Sequence, residues 1–332
     1  MHVLITGGAG FIGSNLAEYH LLLGDSVCVI DNLSTGSLDN IHPLLANPAF
    51  LFNEADILTW DGLKNSIARA NRVYHLAAIV GVKKVLADPV AVMATNIAGT
   101  ERVLRAIHAC QRNPQVVIAS SSEVYGFNTK DSFSETDDVV LRSGGQLRWC
   151  YAATKLADEF LAFAYARKYG LRILIARLFN TIGPRQTGRY GMVVPTFIKQ
   201  AITGAPLTVY GTGNQTRSFC DVRDMVVELD LLASLPDLKG EIVNVGNDRE
   251  ITIKDLARLV LQRANSDAPI TYVPYAEAYG IEFEDVTHRR PELTKFFKLT
   301  GFIPKWDLVR TIDDLILREQ EQQNFCCKII EA

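Results

Sequence analysis

Tyr151 and Lys155 are a pair of residues whose types and spacing could do acid–base chemistry. They stand four residues apart in the run Trp149-Cys150-Tyr151-Ala152-Ala153-Thr154-Lys155. On a helix, residues four apart lie on one face, so the Lys155 ammonium can sit beside the Tyr151 phenol. A nearby cation favours the phenolate and lowers a phenol pKa that is about 10 in water. The spacing therefore predicts that Tyr151 acts as a base at neutral pH.

A glycine-rich turn lies near the N-terminus, between a predicted strand and a predicted helix. Its residues are Gly7-Gly8-Ala9-Gly10-Phe11-Ile12-Gly13. In such a turn, glycines permit a tight bend and let backbone amides approach a pyrophosphate at a helix N-terminus. The next strand ends at Asp31, where a carboxylate can accept hydrogen bonds from ribose hydroxyls. Because a carboxylate there repels a 2′-phosphate, NAD is favoured over NADP as the cofactor.

Apolar segments alternate with helical patterns through about residue 180. The pattern predicts strands at 2–6, 26–30, 50–53, 72–76, 115–120 and 172–177, and helices at about 11–23, 60–70, 89–111 and 149–169. This alternation is typical of an α/β fold with a Rossmann-type doubly wound parallel sheet. After Asn180, turn-rich stretches interrupt shorter elements, which predicts a smaller C-terminal α/β lobe that binds substrate.

The same change of pattern predicts the domain boundaries. We expect residues 1–180, with returning segments at about 218–245, to form the NAD-binding domain. Residues 181–217 and 246–310 would then form the substrate lobe, and 318–332 a polar tail. We see no internal repeat and no low-complexity linker.

Composition and charge agree with a soluble cytoplasmic enzyme. The chain has 332 residues, of which 48% are hydrophobic, and a formal net charge of −3. This charge favours neither nucleic acid nor a membrane surface as the main partner. No apolar run reaches the roughly 18 to 20 residues that span a bilayer. The six cysteines are scattered without metal-ligand spacing, so free thiols in a reducing compartment are expected and no metal site is predicted.

Five motifs carry a family resemblance along residues 1 to about 310. Together they resemble the extended short-chain dehydrogenase/reductase family, and more narrowly its nucleotide-sugar epimerases, dehydratases and decarboxylases. The motifs are Thr6-Gly7-Gly8-Ala9-Gly10-Phe11-Ile12-Gly13, His75-Leu76-Ala77-Ala78, Ser120-Ser121-Ser122-Glu123-Val124-Tyr125-Gly126, Tyr151 with Lys155, and Arg177-Leu178-Phe179-Asn180.

The resemblance implies roles for individual residues. Ser121 would hydrogen-bond the sugar 4-hydroxyl that Tyr151 deprotonates, while Lys155 holds the nicotinamide ribose. Asn96 would anchor the loop after the serine strand, and Lys84 is either near the nicotinamide ribose or an ordinary solvated lysine. The implied NAD contacts are Gly7, Gly10, Phe11, Ile12, Gly13, Asp31, Asn32, Asp56, Ile57, Leu76, Ala77, Ala78, Asn96, Tyr151 and Lys155.

The implied substrate is a nucleoside-diphosphate sugar, with UDP as the expected nucleotide. Asn180, Arg217 and Arg290 would bind the diphosphate, since guanidinium forks match its oxygens. Arg185 and Ser122 would approach the sugar, and Val194 would help to form the base site. Arg289, beside Arg290, is expected to form a surface ion pair instead.

Glu123 bears on which reaction follows oxidation at the sugar C4. Simple 4-epimerases that resemble this chain carry a small or hydroxyl residue at this position, whereas decarboxylases and dehydratases carry glutamate. The leading prediction is decarboxylation of UDP-glucuronate, although the arginine of the decarboxylase stretch G-R-V-V is replaced by Met192. Epimerisation of a UDP-hexose or UDP-glucuronate at C4 comes next, then 4,6-dehydration. A catalytically silent NAD-dependent sensor is the alternative from another class.

The predicted Tyr151 helix carries more apolar residues than one sheet contact requires. They are Leu156, Phe160, Leu161 and Phe163. Relatives in the resembled family pair through this helix and the one at about 89–111. A homodimer with a four-helix interface is therefore expected.

Overall fold

A seven-stranded parallel sheet forms the centre of the protein. The computed structural model describes residues 1–110, 112–142, 146–188, 191–236, 239–279 and 286–330, with the backbone alone for 324–330. Several strands are apolar on both faces, as in Gln115-Val116-Val117-Ile118-Ala119, which suits a sheet covered by helices on each side. The sheet confirms the predicted doubly wound α/β fold.

The strands, in chain order, are β1 (His2–Thr6), β2 (Ser26–Asp31), β3 (Phe50–Glu54), β4 (Arg72–His75), β5 (Gln115–Ser121), β6 (Arg172–Leu178), β7 (Thr181–Ile182), β8 (Leu207–Tyr210), β9 (Thr216–Ser218), β10 (Cys220–Asp221), β11 (Glu241–Val245), β12 (Glu250–Thr252) and β13 (Ile270–Val273). The large sheet has the order β11-β6-β5-β4-β1-β2-β3. The order reverses between β1 and β4, and a crevice opens at the carboxyl ends of strands at such a point.

The helices are α1 (Phe11–Leu22), α2 (Leu38–Ile41), α3 (Leu63–Arg69), α4 (Val82–Ala87), α5 (Pro89–Ala109), α6 (Trp149–Tyr169), α7 (Val193–Thr203), α8 (Val222–Ala233), α9 (Ile253–Ala264), α10 (Tyr275–Tyr279), α11 (Thr294–Thr300) and α12 (Leu308–Ile330). Two 3₁₀ turns lie at His42–Leu44 and Ser122–Tyr125. The helix α5 starts at Pro89 after Asp88, whose side chain accepts a hydrogen bond from the Ala91 amide. The helix α6 ends at Gly170, which adopts a left-handed conformation.

A second hydrophobic core lies outside the large sheet. Helices α7, α9 and α12 pack around β8, with Phe197, Leu207, Leu256 and Ile312 buried between them. The pair β8 and β13 is parallel, and β9 pairs antiparallel with β12. These elements form the smaller C-terminal lobe.

Two segments differ from the sequence-based boundaries. Leu293 and Phe296 pack in the core of the large sheet, so this part of 246–310 lies outside the smaller lobe, because α11 packs against α8 and β11. The predicted polar tail continues α12 through Ile330. Gln111, at the end of a predicted helix, and residues 331–332 of the tail lie outside the described residues.

Candidate active site

One large cleft runs from the glycine turn after β1 to the smaller lobe. Its volume is about 680 Å³, and it opens at the carboxyl ends of the large-sheet strands. Every sequence-predicted site residue lines it except Asn96 and Arg290; Lys84, mentioned as a further candidate, also lies outside the lining. The lining runs from Gly7 to Arg289, so tertiary structure brings together residues that are far apart in the chain.

The glycine turn leaves bare backbone at one end of the cleft. Gly7 has a φ of +73°, and a Cβ at Gly13 would lie 2.3 Å from the Gly7 carbonyl oxygen. The N-cap of α1 is Gly10, which has no side chain to occupy the helix N-terminus. Amides and a positive helix end thus face the cleft. These features fit the pyrophosphate of a dinucleotide.

Asp31 lies beside this turn, as the spacing predicted. Its Oδ2 accepts a hydrogen bond from the Ala9 amide at 3.0 Å, and its Oδ1 accepts one from the Leu33 amide at 2.8 Å. Burial raises the pKa of this carboxyl, although these backbone amides act to lower it. A carboxylate oxygen has further lone pairs for ribose hydroxyls. The cleft therefore fits the ribose of NAD better than a 2′-phosphate.

Further predicted cofactor residues line the cleft wall beyond Asp31. The Asn32 side-chain amide donates a hydrogen bond to Asp56 Oδ2 at 3.0 Å, and Asp56 Oδ1 accepts the Leu58 amide. The remaining ones in the lining are Phe11, Ile12, Ile57, Leu76, Ala77 and Ala78. Their contact with NAD stays a prediction that this placement supports.

Asn96 holds a different loop from the one expected. Its side chain accepts a hydrogen bond from the Ile79 amide at 2.8 Å and donates to the Ile79 carbonyl and to Thr154 Oγ1, both at 3.2 Å. It therefore anchors the loop after β4, not the loop after the serine strand β5. The reason is that α5 packs beside that loop and buries Asn96, which satisfies backbone groups there.

Lys84 contacts the loop that follows β2. Its Nζ donates a hydrogen bond to the Ser34 carbonyl at 3.0 Å. Of this lysine and its neighbour, Lys83 is the one that lines the cleft. Lys84 therefore ties α4 to the loop after β2.

Tyr151 and Lys155 both line the middle of the cleft from α6. Ser121, at the end of β5, lies within hydrogen-bonding reach of the Tyr151 phenol, and this contact favours the phenolate. The Ser121 hydroxyl also accepts the Glu123 amide at 3.2 Å, which fixes the 3₁₀ turn. Ser120 instead donates to Glu159 Oε1 at 2.5 Å, which gives it a structural role.

The pKa of Tyr151 is raised, which the spacing alone did not predict. Burial is the largest cause, and it outweighs the lowering by Lys155. Glu123 adds to the rise through its negative charge. Lys155 thus acts in the predicted direction, but the predicted net lowering is wrong for the protein alone, because desolvation disfavours the phenolate.

Glu123 is held by two arginines that sequence reasoning had not placed in the site. Arg289 Nη1 lies 2.7 Å from Glu123 Oε1, and Arg148 Nη2 lies 3.8 Å from Glu123 Oε2. Both arginines are buried, with 8% and 7% exposure, and both line the cleft. The arrangement concentrates two positive charges around one carboxylate next to Ser121.

Arg289 and Arg290 do not lie where the sequence analysis expected them. Arg289 lies in the cleft and is not on the surface, while Arg290 is absent from the lining. The Arg290 carbonyl accepts a hydrogen bond from the Phe133 amide at 2.8 Å. Adjacent residues in an extended segment point in opposite directions, and the pattern of two arginines cannot tell which one points inward.

The other predicted substrate residues lie on segments of both the large-sheet domain and the smaller lobe. The Asn180 amide donates to the Ser218 carbonyl at 3.2 Å, and Arg217 Nη1 donates to the Val286 carbonyl at 2.9 Å. Arg185 has a positive φ of 72° and pairs with Glu18 of α1 at 2.7 Å. Ser122 and Val194 also line the cleft. Binding of a diphosphate sugar by these residues stays a prediction.

Sequence reasoning gave no individual role to four further polar residues at the lobe end of the cleft. The Gln200 side chain donates to Thr208 Oγ1 at 3.1 Å and accepts from the Thr208 backbone amide at 3.2 Å. Gln215 donates to the Tyr275 hydroxyl at 2.8 Å. All four residues line the cleft. The packing of α7 against β8 brings Gln200 and Thr208 together.

Two classes of site find no support within the described ranges. No helix there is long and apolar enough to cross a bilayer. Those residues also contain no group of three or more His, Cys, Asp or Glu that could hold a metal ion.

Similar sequences fall in one group of enzymes. A decarboxylase named for UDP-N-acetyl-alpha-D-glucosaminuronate, from Bacillus cytotoxicus, is 37% identical over 322 residues, which are 97% of this chain and 98% of that relative. UDP-glucuronic acid decarboxylase 2 of Arabidopsis thaliana is 34% identical over 98% of this chain and 69% of its own length.

Solved structures and a family model agree with this grouping. UDP-glucose 4-epimerase from Thermotoga maritima, solved with UDP-glucose, has a TM-score of 0.86 at 28% identity and covers 97% of this chain and 100% of that one. A dTDP-glucose 4,6-dehydratase from Streptomyces venezuelae, solved with NAD, has a TM-score of 0.85 at 27% identity, over 98% of each chain. Residues 3–246 match the model of the NAD dependent epimerase/dehydratase family. The chain therefore belongs to the NAD dependent epimerase/dehydratase family, which confirms the enzyme class predicted from its motifs and NAD as its cofactor.

Proposed function

We propose that this enzyme removes the carboxyl group of a UDP-linked hexuronic acid, with UDP-glucuronate as the first candidate. The observation that carries the proposal is the cluster of Glu123, Arg289 and Arg148 beside Ser121 in the cleft. Simple epimerisation of a hexose needs no cation at C6, since C6 of a hexose is a neutral hydroxymethyl group. A uronic acid bears a carboxylate there instead.

Arg289 has the properties of a carboxylate receptor. A guanidinium matches a carboxylate with two parallel hydrogen bonds, and burial strengthens that interaction. Its present partner is Glu123 Oε1 at 2.7 Å, so a carboxylate is already the ligand that this position binds. Arg148 adds a second charge, which allows Glu123 and a substrate carboxylate to lie close together without net repulsion.

The residues of the cleft then divide the work. NAD, when bound, supplies a reversible hydride acceptor for the sugar C4. Tyr151 accepts the proton of the 4-hydroxyl, and Ser121 hydrogen-bonds the same oxygen. With a ketone at C4, the electrons of the C5–C6 bond can move toward that oxygen as carbon dioxide leaves. The protonated Tyr151 then donates a hydrogen bond to the resulting enolate, which stabilises its charge. A proton added at C5 gives a 4-keto pentose, and return of the hydride to C4 and of the Tyr151 proton to the C4 oxygen would complete the UDP-pentose.

The relatives support this reading. Decarboxylases of UDP-linked uronic acids are 37% and 34% identical to this chain over nearly its full length. The Bacillus cytotoxicus relative is named for an N-acetylated uronic acid, which makes that sugar a second candidate substrate. Asn180 and Arg217 would bind the diphosphate, with Arg185 close to the sugar.

Product analysis with purified enzyme tests the proposal. The protein is incubated with UDP-glucuronate, UDP-N-acetylglucosaminuronate and UDP-glucose, and the products are followed by mass spectrometry and proton NMR. We expect carbon dioxide and a UDP-pentose from UDP-glucuronate, and no product with the Tyr151→Phe control. An inverted C4 at unchanged mass would show an epimerase, and loss of water would show a dehydratase. Either result would contradict the decarboxylase.

A homodimer through α5 and α6 is also proposed. An apolar groove between these helices is lined by Met93, Ala94, Ile97, Ala98, Glu101 and Leu161. Near it, Val90 of α5 is 76% exposed and Phe160 of α6 is 67% exposed. Exposed apolar surface on two adjacent parallel helices suits a second copy of the same pair.

We also propose a cytoplasmic location, which the thiols support. Cys28, Cys110, Cys150 and Cys220 are free, which suits a reducing compartment. Cell fractionation with an antibody against the chain tests this, and recovery in a membrane or secreted fraction would contradict it.

A further inference from the structure

Lys155 has a buried ionic partner on its own helix. Asp158 lies three residues further along α6, and its Oδ2 is 3.1 Å from Lys155 Nζ. The two side chains are 5% and 0% exposed. A buried pair of opposite charges has no net charge, so each ion offsets the field of the other. Asp158 therefore partly offsets the Lys155 charge that would favour the Tyr151 phenolate.

The carboxylate of Asp158 also contacts α5. The Thr100 hydroxyl faces it and lowers its pKa, as Lys155 does, although burial raises the pKa overall. Thr100 Oγ1 is 3.1 Å from His75 Nε2, and His75 Nδ1 is 2.7 Å from Thr6 Oγ1. Burial and the charge of Lys155 lower the pKa of His75 to about 3, so this histidine is neutral near pH 7. His75 therefore adds no charge to the pair.

The remaining charged groups around the pair have partners of their own. Glu159, next to Asp158 on α6, makes two hydrogen bonds of 2.8 Å with Arg177. Glu123 faces Tyr151 from the 3₁₀ turn and is paired with Arg289 and Arg148. Asp158 is consequently the acidic group that acts on Lys155 by direct contact.

We propose that Asp158 is a positioning residue that acts through Lys155: by holding the ammonium and offsetting its charge, it sets the pH range in which Tyr151 can serve as a base. The inference rests on Tyr151 as the base of the proposed function, but not on which sugar is the substrate. Neither the glycine turn nor the Tyr151–Lys155 spacing indicates this role for Asp158.

The direction of the effect follows from the charges. Lys155 and the Ser121 hydrogen bond lower the pKa of Tyr151, whereas Glu123 and Asp158 raise it through their negative charges. Removing the Asp158 charge leaves the Lys155 ammonium unbalanced beside the phenol. The phenolate becomes easier to form, so Tyr151 should lose its proton at a lower pH.

A titration without substrate tests this. Phenolate absorbance is followed against pH for the full-length wild type and for Asp158→Asn, and each curve is corrected with the same protein carrying Tyr151→Phe. Asparagine keeps an oxygen that can accept from Lys155 and removes only the charge. We expect the Tyr151 component to move to lower pH in Asp158→Asn. The control is Asp313→Asn, which removes an acidic charge from α12 at a partly exposed ion pair with Arg263 and should leave the component in place.

Steady-state kinetics give a second readout. The acid limb of kcat against pH for UDP-glucuronate should move in the same direction, while KM changes by no more than about twofold. A Tyr151 component that stays in place or moves to higher pH would overturn the proposal and leave Asp158 a structural partner of Lys155. If Asp158→Asn fails to fold, Asp158→Ala, which leaves room for water around Lys155, decides by the same criterion. Because the titration uses no sugar, failure of the decarboxylase proposal leaves its result intact.

Discussion

At the scale of single residues, direction decides function. Arg289 and Arg290 have the same chemistry and adjacent positions, yet only Arg289 lines the cleft and contacts Glu123. Tyr151 shows the same dependence on surroundings, because its raised pKa comes mainly from burial and only secondarily from its charged neighbours. Residue type thus sets what a group can do, and its environment sets when it does so.

The first prediction separates the two arginines. Arg289→Gln should lower kcat/KM for UDP-glucuronate roughly 100-fold, on the order of 3 kcal/mol, because a buried charged partner of the carboxylate is lost. Arg290→Gln is the matched control and should keep kcat/KM within about threefold. Initial rates of carbon dioxide release measure both. Equal losses in the two variants would show that the cleft arginine is not a specific ligand.

At the scale of elements, α5 and α6 position the site together. The helix α6 carries Tyr151, Lys155 and Asp158 along its length, while α5 supplies Thr100 and Asn96 behind them. Asn96 connects both helices to the loop after β4 through its bonds to Ile79 and Thr154. Asn96 therefore holds the loop after β4, which lines the cleft, and α6, which carries Tyr151, through one set of hydrogen bonds.

The second prediction removes that support. Asn96→Ala should lower the free energy of unfolding by about 1–3 kcal/mol, because the buried amide and carbonyl of Ile79 lose their partner. Urea unfolding followed by circular dichroism measures the change. Asn128→Ala, which removes a half-buried side chain whose bonds to the Asp138 carbonyl and the Lys130 amide are exposed, is the control and should cost less than ~1 kcal/mol. Similar losses in both variants would show that the Ile79 loop does not depend on Asn96.

At the scale of the whole molecule, acidic groups are buried where β10 meets α8. Glu228 is fully buried, its Oε1 has no partner among the described residues, and Cys220 approaches its Oε2 at 3.9 Å. Burial raises the pKa of Glu228 well above its ordinary value of 4.5, and the charge of Asp224 raises it further. The folded protein therefore binds this proton more tightly than the unfolded chain does.

The third prediction is a pH dependence of global stability. The folded state binds the Glu228 proton more tightly than the unfolded state does. The stability that this proton contributes is therefore complete below pH 4.5, and it is lost as pH rises toward the higher pKa of the folded state. Glu228→Gln keeps the shape and cannot ionise, so it should be more stable than wild type at pH 8 and flatten the decline. Melting temperatures across this range measure the effect. A steeper decline in the variant would contradict the assignment.

The fourth prediction concerns assembly. Phe160→Glu places a charge on the exposed apolar face of α6 and should convert the proposed dimer to a folded monomer. Light scattering after size exclusion measures the mass. The control is Leu22→Glu, at an 82% exposed residue of α1, which should leave the dimer intact. A wild type that elutes as a monomer would refute the dimer directly.

Local patterns in the sequence determined the family and the cofactor, and they predict Tyr151 as the base. The glycine turn, Asp31 and the Tyr151–Lys155 spacing depend on neighbours a few residues away or on one strand–helix unit, so their meaning can be derived from order alone. The large parallel sheet followed from the same alternation of strands and helices.

Tertiary structure alone decided the rest. It placed Arg289 in the cleft, tied Asn96 to the loop after β4, and raised the pKa of Tyr151 by burial. It also buried the Lys155–Asp158 pair, whose spacing of three residues would describe an exposed surface pair equally well. The physical reason is common to all four. Side-chain direction and desolvation depend on which distant elements pack around a residue, and local order carries no record of that packing.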